Sequence, residues 1–96
     1  VHKIYDIDVN DMSTVKNGYI VAYLETQNTF EDNIQIVLNH SLSHDKIIGG
    51  WLNEENKKFY FESCKVFKDK NEAIKFGIEN KQIAIFDLTN LKEKKL

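Results

Sequence analysis

The chain has 96 residues, enough for one small domain that can fold alone but not for two. Hydrophobic residues make up 42% and charged residues 29%, which lies close to globular averages and argues against disorder. All 13 basic residues are lysines and the net charge is −2. A chain without arginine lacks the planar side chain that suits guanine and phosphate, so sequence-specific DNA recognition is not favoured.

The first clear element is a strand at residues 18–25, which is rich in β-branched and aromatic residues. Its alternation gives two apolar faces, with Ile20, Ala22 and Leu24 on one and Tyr19, Val21 and Tyr23 on the other. A strand that is apolar on both faces is expected inside a sheet.

Residues 29–39 fit two patterns, because their apolar side chains match helical spacing and also strand alternation. We favour a strand at about residues 33–39, followed by a polar connection at 41–46. Residues 47–52 and 59–67 then form a hairpin around the polar turn 53–57. Two glycines before Trp51 predict a bulge, or a position where another backbone or an aromatic ring comes close.

The clearest helix signal is Asp69, which can cap a helix while Glu72 reaches back as in a capping box. The amphipathic helix should cover about residues 70–80 and end at Asn80. A buried, central strand follows at 82–88, and the lysine-rich tail at 89–96 is expected to fray. We therefore predict one α+β domain over residues 1–96, with about five mainly antiparallel strands and one main helix on one face of the sheet.

Residues 39–88 carry a pattern that resembles a family of small phage and prophage proteins. The matching segments are Leu38-Asn39-His40, Ile48-Gly49-Gly50-Trp51, Phe59-Tyr60, Glu72-Ala73-Ile74 and Gln82-Ile83-Ala84-Ile85-Phe86-Asp87-Leu88. The resemblance covers about half of the chain, and the first forty residues match nothing we can name. It implies a phage accessory protein that acts on host machinery, for example as an inhibitor of a CRISPR defence nuclease, and it implies no enzymatic activity.

His40 and His44 have the i, i+4 spacing that places two imidazoles on one side of a helix, as zinc sites require. Their surroundings are serine-rich and read as a connection, and no glutamate follows the first histidine, so we predict no metal and keep the pair as a minor alternative. A small metal-dependent nuclease would have to use these two residues.

Two other groups of residues have side chains that can take part in catalysis or metal binding. Cys64 is the only cysteine, which excludes an internal disulfide, favours a reducing compartment such as the cytoplasm, and predicts a small buried side chain. Asp6, Asp8 and Asp11 lack the glycine and the terminal glutamate of a calcium loop, so an acidic strand edge is expected. No phosphate-binding glycine motif is present in the sequence, and no cofactor is predicted.

We predict a non-enzymatic interaction module in the host-cell cytoplasm that binds a protein partner or a second copy of itself. Trp51, Tyr60 and Phe61 are the expected anchors, since aromatic residues dominate many interfaces, and Lys57 and Lys58 lie beside them. One helix would leave apolar sheet surface uncovered, which favours a homodimer. No membrane partner is expected. Lysines beside aromatic rings also suit single-stranded nucleic acid, but the acidic balance makes that alternative weaker.

Overall fold

The computed structural model describes the backbone of residues 4–8 and all of residues 13–96. Within these ranges the chain forms eight strands in one sheet and two α-helices, α1 (Ile34–Leu42) and α2 (Lys70–Glu79). The strands are β1 (Ile4–Asp8), β2 (Ser13–Thr14), β3 (Tyr19–Ala22), β4 (Thr29–Phe30), β5 (Ile47–Asn53), β6 (Lys58–Phe67), β7 (Ala84–Asp87) and β8 (Lys92–Lys95).

The sheet order is β2-β1-β5-β6-β3-β7-β8, and β4 pairs with the first half of β6 next to β3. Every described pairing is antiparallel. The predicted α+β class with a mainly antiparallel sheet is therefore confirmed. The strand predicted at 18–25 lies inside the sheet as β3, between β6 and β7.

Both helices lie on one side of the sheet, which we call the helical face. On this side Val21 and Ile85 pack against Ala73 of α2, and the Tyr23 ring contacts His40 of α1 and Phe76 of α2. The opposite side, which we call the open face, carries no helix within the described residues. It has its own apolar cluster, formed by Ile20, Ala22, Cys64 and Leu88 with Val15, Ile47, Val66 and Phe86 packed around them.

The connection from β2 to β3 shows how the open face is shaped. Three strands separate β2 from β3 in the sheet, a distance of about 19 Å at normal strand spacing. The five steps from Thr14 to Tyr19 span at most about 18 Å. The sheet must therefore curl toward the open face, and Val15 from this connection packs on the open-face cluster.

The hairpin of β5 and β6 was predicted correctly, and its register runs without interruption from Ile47 opposite Cys64 to Asn53 opposite Lys58. The paired glycines do not form a bulge. Instead the other predicted reason holds, because a Cβ on Gly50 would lie 3.1 Å from the Phe61 ring. Glycine at this position makes room for the ring that lies across from it.

Helix α2 begins and ends where its sequence signals indicate. The Asp69 carboxylate accepts a hydrogen bond from the backbone N–H of Asn71 at 2.8 Å, and Asn80 caps the other end. Gly77 faces the sheet so closely that a Cβ there would lie 3.2 Å from Ile85 and 2.6 Å from Leu96. The small side of the helix thus allows close contact with β7 and with the chain end.

The prediction of a strand at about residues 33–39 is wrong, because residues 34–42 form α1. The helical pattern in this segment was the correct one: Val37 and Ser41, four residues apart, are fully buried, whereas Ile36 is 57% exposed. A second helix also changes the argument for a homodimer, which assumed that one helix alone covers the sheet.

The prediction of a frayed tail is also wrong. Residues 92–95 form β8, which pairs with β7 from Asp87 opposite Lys92 to Ala84 opposite Lys95. The N–H of Leu96 continues the pairing with a 2.9 Å hydrogen bond to the carbonyl of Ile83. The lysines are tolerated because β8 is the edge of the sheet, where charged side chains reach solvent and discourage pairing with other strands.

No helix among residues 13–96 is long and apolar enough to cross a membrane.

Candidate interaction surface

Three aromatic rings form a row across the open face. Tyr60 of β6 lies between Phe30 of β4 and Trp51 of β5, its direct partners in the sheet register. The ring centroids of Phe30 and Tyr60 are 4.8 Å apart, and so are those of Trp51 and Tyr60. We call Phe30, Tyr60 and Trp51 the aromatic row. Phe30 is 40% exposed, and the other two rings are partly exposed.

The row is built by the alternation of side chains along the strands. Residues directly opposite each other in antiparallel strands point to the same face and come within reach. The rings of Trp51 and Tyr60 are inclined by only 21°, and those of Phe30 and Tyr60 by 30°. Because nearly parallel rings contact each other through their faces, Tyr60 has a neighbour on each side and points its edge and hydroxyl outward. The hydroxyl accepts a hydrogen bond from the Asn56 side-chain amide at 2.9 Å.

Lys57 and Lys58 lie at the end of the row, in and after the hairpin turn. Lys57 has φ of 60°, a left-handed conformation that closes the turn. The N–H of Lys58 donates to the Asn56 side chain at 3.0 Å, and the Lys58 ammonium lies 4.8 Å from the centre of the Phe30 ring. Both lysines are exposed, and the Lys58 ammonium places a positive charge at the Phe30 end of the row.

Phe61 does not belong with the other two predicted anchors. Neighbouring residues in a strand point to opposite faces, so Phe61 lies on the helical face while Tyr60 lies on the open face. There it packs beside Phe59, with ring centroids 5.6 Å apart, and against Gly50. Phe30 takes its place in the row. Sequence reasoning missed Phe30 because the two-residue strand β4 was not separated from the segment that follows it.

Next to the row, the open face contains a cavity of about 260 Å³. It is bounded by strands β5, β6, β3, β7 and β8, and its described lining residues are Ile20, Ala22, Gly49, Gly50, Trp51, Glu62, Cys64, Gln82, Ile83, Ala84, Ile85, Phe86 and Glu93. Most of this lining is apolar. The charged side chains among these residues, Glu62 and Glu93, are both acidic.

Glu62 lines the cavity and also contacts Trp51 of the aromatic row. Its side chain accepts hydrogen bonds from the backbone of Asn28 and from the side chain of Trp51. Burial raises the pKa of the Glu62 carboxyl above its ordinary value, while these two hydrogen bonds oppose the shift. Glu62 was not singled out from the sequence. The alternation of side chains predicts a strand there, but it does not indicate which residues of other strands surround Glu62.

His40 and His44 come together on the other side of the sheet. Their rings are parallel with centroids 3.8 Å apart, and the Tyr23 ring meets the edge of the stack. Nδ1 of His44 is 2.7 Å from the carbonyl of His40, to which it donates. Tyr23 donates a hydrogen bond to Asp45, and burial together with this bond raises the pKa of the Tyr23 hydroxyl.

The arrangement of the two histidine rings does not suit a shared metal ion. The lone pairs of an imidazole lie in its ring plane, and a zinc ion would sit in that plane at about 2 Å from the nitrogen. The two rings are parallel and stacked with their centroids 3.8 Å apart, so their planes do not coincide and one ion cannot lie in both. Within residues 13–96 no group of three histidine, cysteine, aspartate or glutamate side chains is arranged to hold a metal.

The other residues singled out from the sequence are Cys64 and three aspartates. Cys64 is buried in the open-face cluster, as expected. Its sulfur lies 3.5 Å from the backbone carbonyl of Glu62. The side chains of Asp6, Asp8 and Asp11 lie outside the described part of the molecule.

These features define a small α+β domain with a one-sided helical layer and an aromatic row beside a cavity on its open face. No family model, no curated protein and no solved structure matched the chain in three comparisons.

Proposed function

We propose that this domain is a non-enzymatic interaction module that binds a protein partner through the aromatic row of the open face. The observation that carries the proposal is the row itself: three rings in mutual contact, partly exposed, on the side of the sheet that has no helix over it within the described residues. Aromatic side chains grouped in this way supply a large share of the binding energy in protein interfaces.

The arrangement of the rings supports a protein rather than a single-stranded nucleic acid as the partner. Nucleic-acid bases bind by stacking on free ring faces. The faces of Tyr60 contact Phe30 and Trp51, so the ring offers a partner its edge and hydroxyl. A net charge of −2 also gives little attraction for phosphate.

The positive end of the row suggests the character of the partner. Lys57 and Lys58 are exposed at the hairpin turn, and rim charges of this kind select partners of opposite charge and speed their encounter. We therefore propose an acidic border on the partner surface, next to an apolar centre that meets the rings.

The biological setting follows from the resemblance of residues 39–88 to small phage and prophage proteins. It favours a phage-encoded modulator or inhibitor of a host protein, acting in the host cytoplasm, and an anti-defence role such as inhibition of a CRISPR effector is one form of it. A homodimer is the simplest alternative occupant of the same surface, since a second copy offers the same apolar row.

The test is affinity purification from a bacterial lysate that also contains an untagged copy of this chain. Wild type and Trp51→Ala are compared with Ile78→Ala, which removes an apolar side chain that is 62% exposed on α2. We expect one protein, a host protein or the untagged copy, to bind wild type and Ile78→Ala and to be lost with Trp51→Ala. A partner that binds all three equally would contradict the proposed surface, as would the recovery of no partner at all.

A further inference from the structure

The cavity beside the aromatic row combines an apolar floor with a carboxylate that is partly removed from water. Its floor crosses four strands, with Trp51 and Glu62 on the β5–β6 side, Ala22 on β3 and Phe86 on β7. Glu93 lies on the far side, on the edge strand β8, and is exposed. The cavity is thus anionic at both sides and apolar between them.

The hydrogen bonds that Glu62 makes with the described residues use only part of its carboxylate. An ionised carboxylate can accept about four hydrogen bonds. The described donors to Glu62 are the backbone N–H of Asn28 and the Trp51 side chain. About two acceptor positions remain, and no lysine or histidine is among the described residues that line the cavity.

The size of the cavity restricts what can enter. Sites for drug-sized ligands and cofactors have volumes of about 300–1,000 Å³. This cavity, at about 260 Å³, suits a smaller group. An apolar chain would replace water over Ala22, Ala84 and Phe86, and a positive group would complement Glu62.

From this arrangement we propose that the cavity is a binding site for an alkylammonium group, whose charged end is held by Glu62 and whose apolar chain lies over the floor. A charge-assisted hydrogen bond in a partly dry site is stronger than a neutral one, so the charge on the ligand matters more than its shape. This site is separate from the contacts of the aromatic row with a protein partner, although Trp51 takes part in both.

Two sources present the same chemistry. A free primary amine would enter the cavity as a small-molecule ligand, whereas the lysine side chain of a partner protein has the same four-carbon chain and ammonium group. The experiment uses both, as n-butylammonium and as Nα-acetyl-lysine methylamide, with 1-butanol as the neutral compound of the same shape.

Binding can be followed by the fluorescence of Trp51, the only tryptophan of the chain. We expect saturable binding of n-butylammonium that is at least about tenfold tighter than that of 1-butanol, the size of effect that one hydrogen bond to a charged group provides. Binding of the lysine derivative with similar affinity would identify a partner side chain as the source. Binding of n-butylammonium alone would identify a free amine.

Two variants make the test specific. Glu62→Gln keeps the shape and an acceptor for Trp51 but removes the charge, so we expect it to abolish the tenfold preference. Glu93→Gln removes an equal charge from the exposed side of the cavity and should change the affinity by less than about twofold, because solvent screens it. Equal losses in the two variants would mean a general charge effect and would overturn the proposal, as would equal binding of the amine and the alcohol by wild type.

A third variant separates the cavity from the fold. Ala84→Leu fills the floor without altering any charge, and we expect it to weaken the amine and the alcohol alike. If Ala84→Leu keeps the wild-type amide spectrum and still binds n-butylammonium with wild-type affinity, the ligand lies elsewhere and the proposal is wrong. None of these readouts requires a protein partner, so their failure is distinct from a failure of the proposed function.

Discussion

The partly buried carboxylate of Glu62 lowers the stability of the fold and also provides a charged group in the cavity. Its side chain lies against apolar strands, and burial raises the pKa of its carboxyl. Because the folded state then binds the proton more tightly than the unfolded state does, folding is favoured at low pH. That contribution is lost as the pH rises through the folded pKa.

This gives a prediction for Glu62→Gln. We expect the free energy of unfolding of the variant to exceed that of wild type at pH 7, because no charge has to be kept in the partly dry cavity. The difference should shrink as the pH falls toward the pKa of an unfolded glutamate, about 4.3. Urea unfolding at pH 4 and pH 7 measures both values.

Glu93→Gln serves as the control, since it removes the same type of charge from an exposed position. Its effect on stability should stay within about 0.5 kcal/mol at both pH values. If the free energies of unfolding of Glu62→Gln and wild type change by the same amount between pH 4 and pH 7, burial does not raise the pKa of the Glu62 carboxyl.

The sequence indicated two of the three residues of the aromatic row. Trp51 and Tyr60 could be named because a tryptophan and a run of rings stand out in a hairpin. Phe61 was assigned to the same group, although alternation along the strand places it on the other face. Phe30 was missed because its partnership with Tyr60 is made across 30 residues of chain, and no local pattern reports it.

Among the elements, those with local signals were predicted and those set by distant contacts were not. Asp69 marks the start of α2 within one turn, and the hairpin of β5 and β6 is a local structure. Helix α1 was read as a strand because its apolar residues fit both periods, and only packing decided between them. In the folded protein Val37 and Ser41 are both completely buried beneath the helix, four residues apart.

Strand β8 was missed for a similar reason. Its sequence, Lys-Glu-Lys-Lys, consists of residues that are depleted in strands. It is held by pairing with β7, whose position depends on β3, and by contact of Leu96 with the helix at Gly77. Such a strand can be recognised only after its neighbours are in place.

The pairing of β8 can be tested by removing residues 91–96. We expect a loss of about 1–3 kcal/mol in the free energy of unfolding, because the truncated chain exposes the edge of β7 and loses the Leu96 contact. Amide hydrogen exchange on the intact protein should show protection of Leu96, whose N–H bonds to Ile83.

The matched control is Lys92→Gln with Lys95→Gln, which keeps the backbone pairing and should leave stability within about 0.5 kcal/mol. If the Leu96 amide hydrogen exchanges at the rate of a free peptide and the truncated chain is as stable as wild type, β8 is not formed. The tail would then be frayed, as the sequence indicated.

The two faces of the sheet differ in what covers them and in the features they carry. The helical face is covered by α1 and α2, and Val21, Ala73 and Ile85 are buried between the sheet and α2. The open face has its own apolar cluster, the aromatic row and the cavity, with no helix over them within the described residues. Sequence reasoning assumed that one helix leaves apolar sheet uncovered, whereas the described residues form two helices and the core residues of the open-face cluster are at most 8% exposed.

This division predicts weak or absent binding of single-stranded nucleic acid. The molecule is acidic overall, and the rings of the row contact each other through their faces. We expect no change in the anisotropy of a labelled oligo-dT at about 50 mM salt, where electrostatic binding is strong. Binding that decreases steeply with added salt and is lost in Trp51→Ala would favour the nucleic-acid alternative instead.

The most direct test of the central claim compares two exposed apolar residues that the sequence does not distinguish. Phe30 belongs to the aromatic row and is 40% exposed, whereas Ile36 lies on α1 and is 57% exposed. The measurement is the amount of partner protein, including an untagged copy of this chain, that is retained by Phe30→Ala and by Ile36→Ala relative to wild type. We predict a loss of at least about tenfold for Phe30→Ala and none for Ile36→Ala. Retention by Phe30→Ala with loss in Ile36→Ala would place the interface on the helical face and contradict this account.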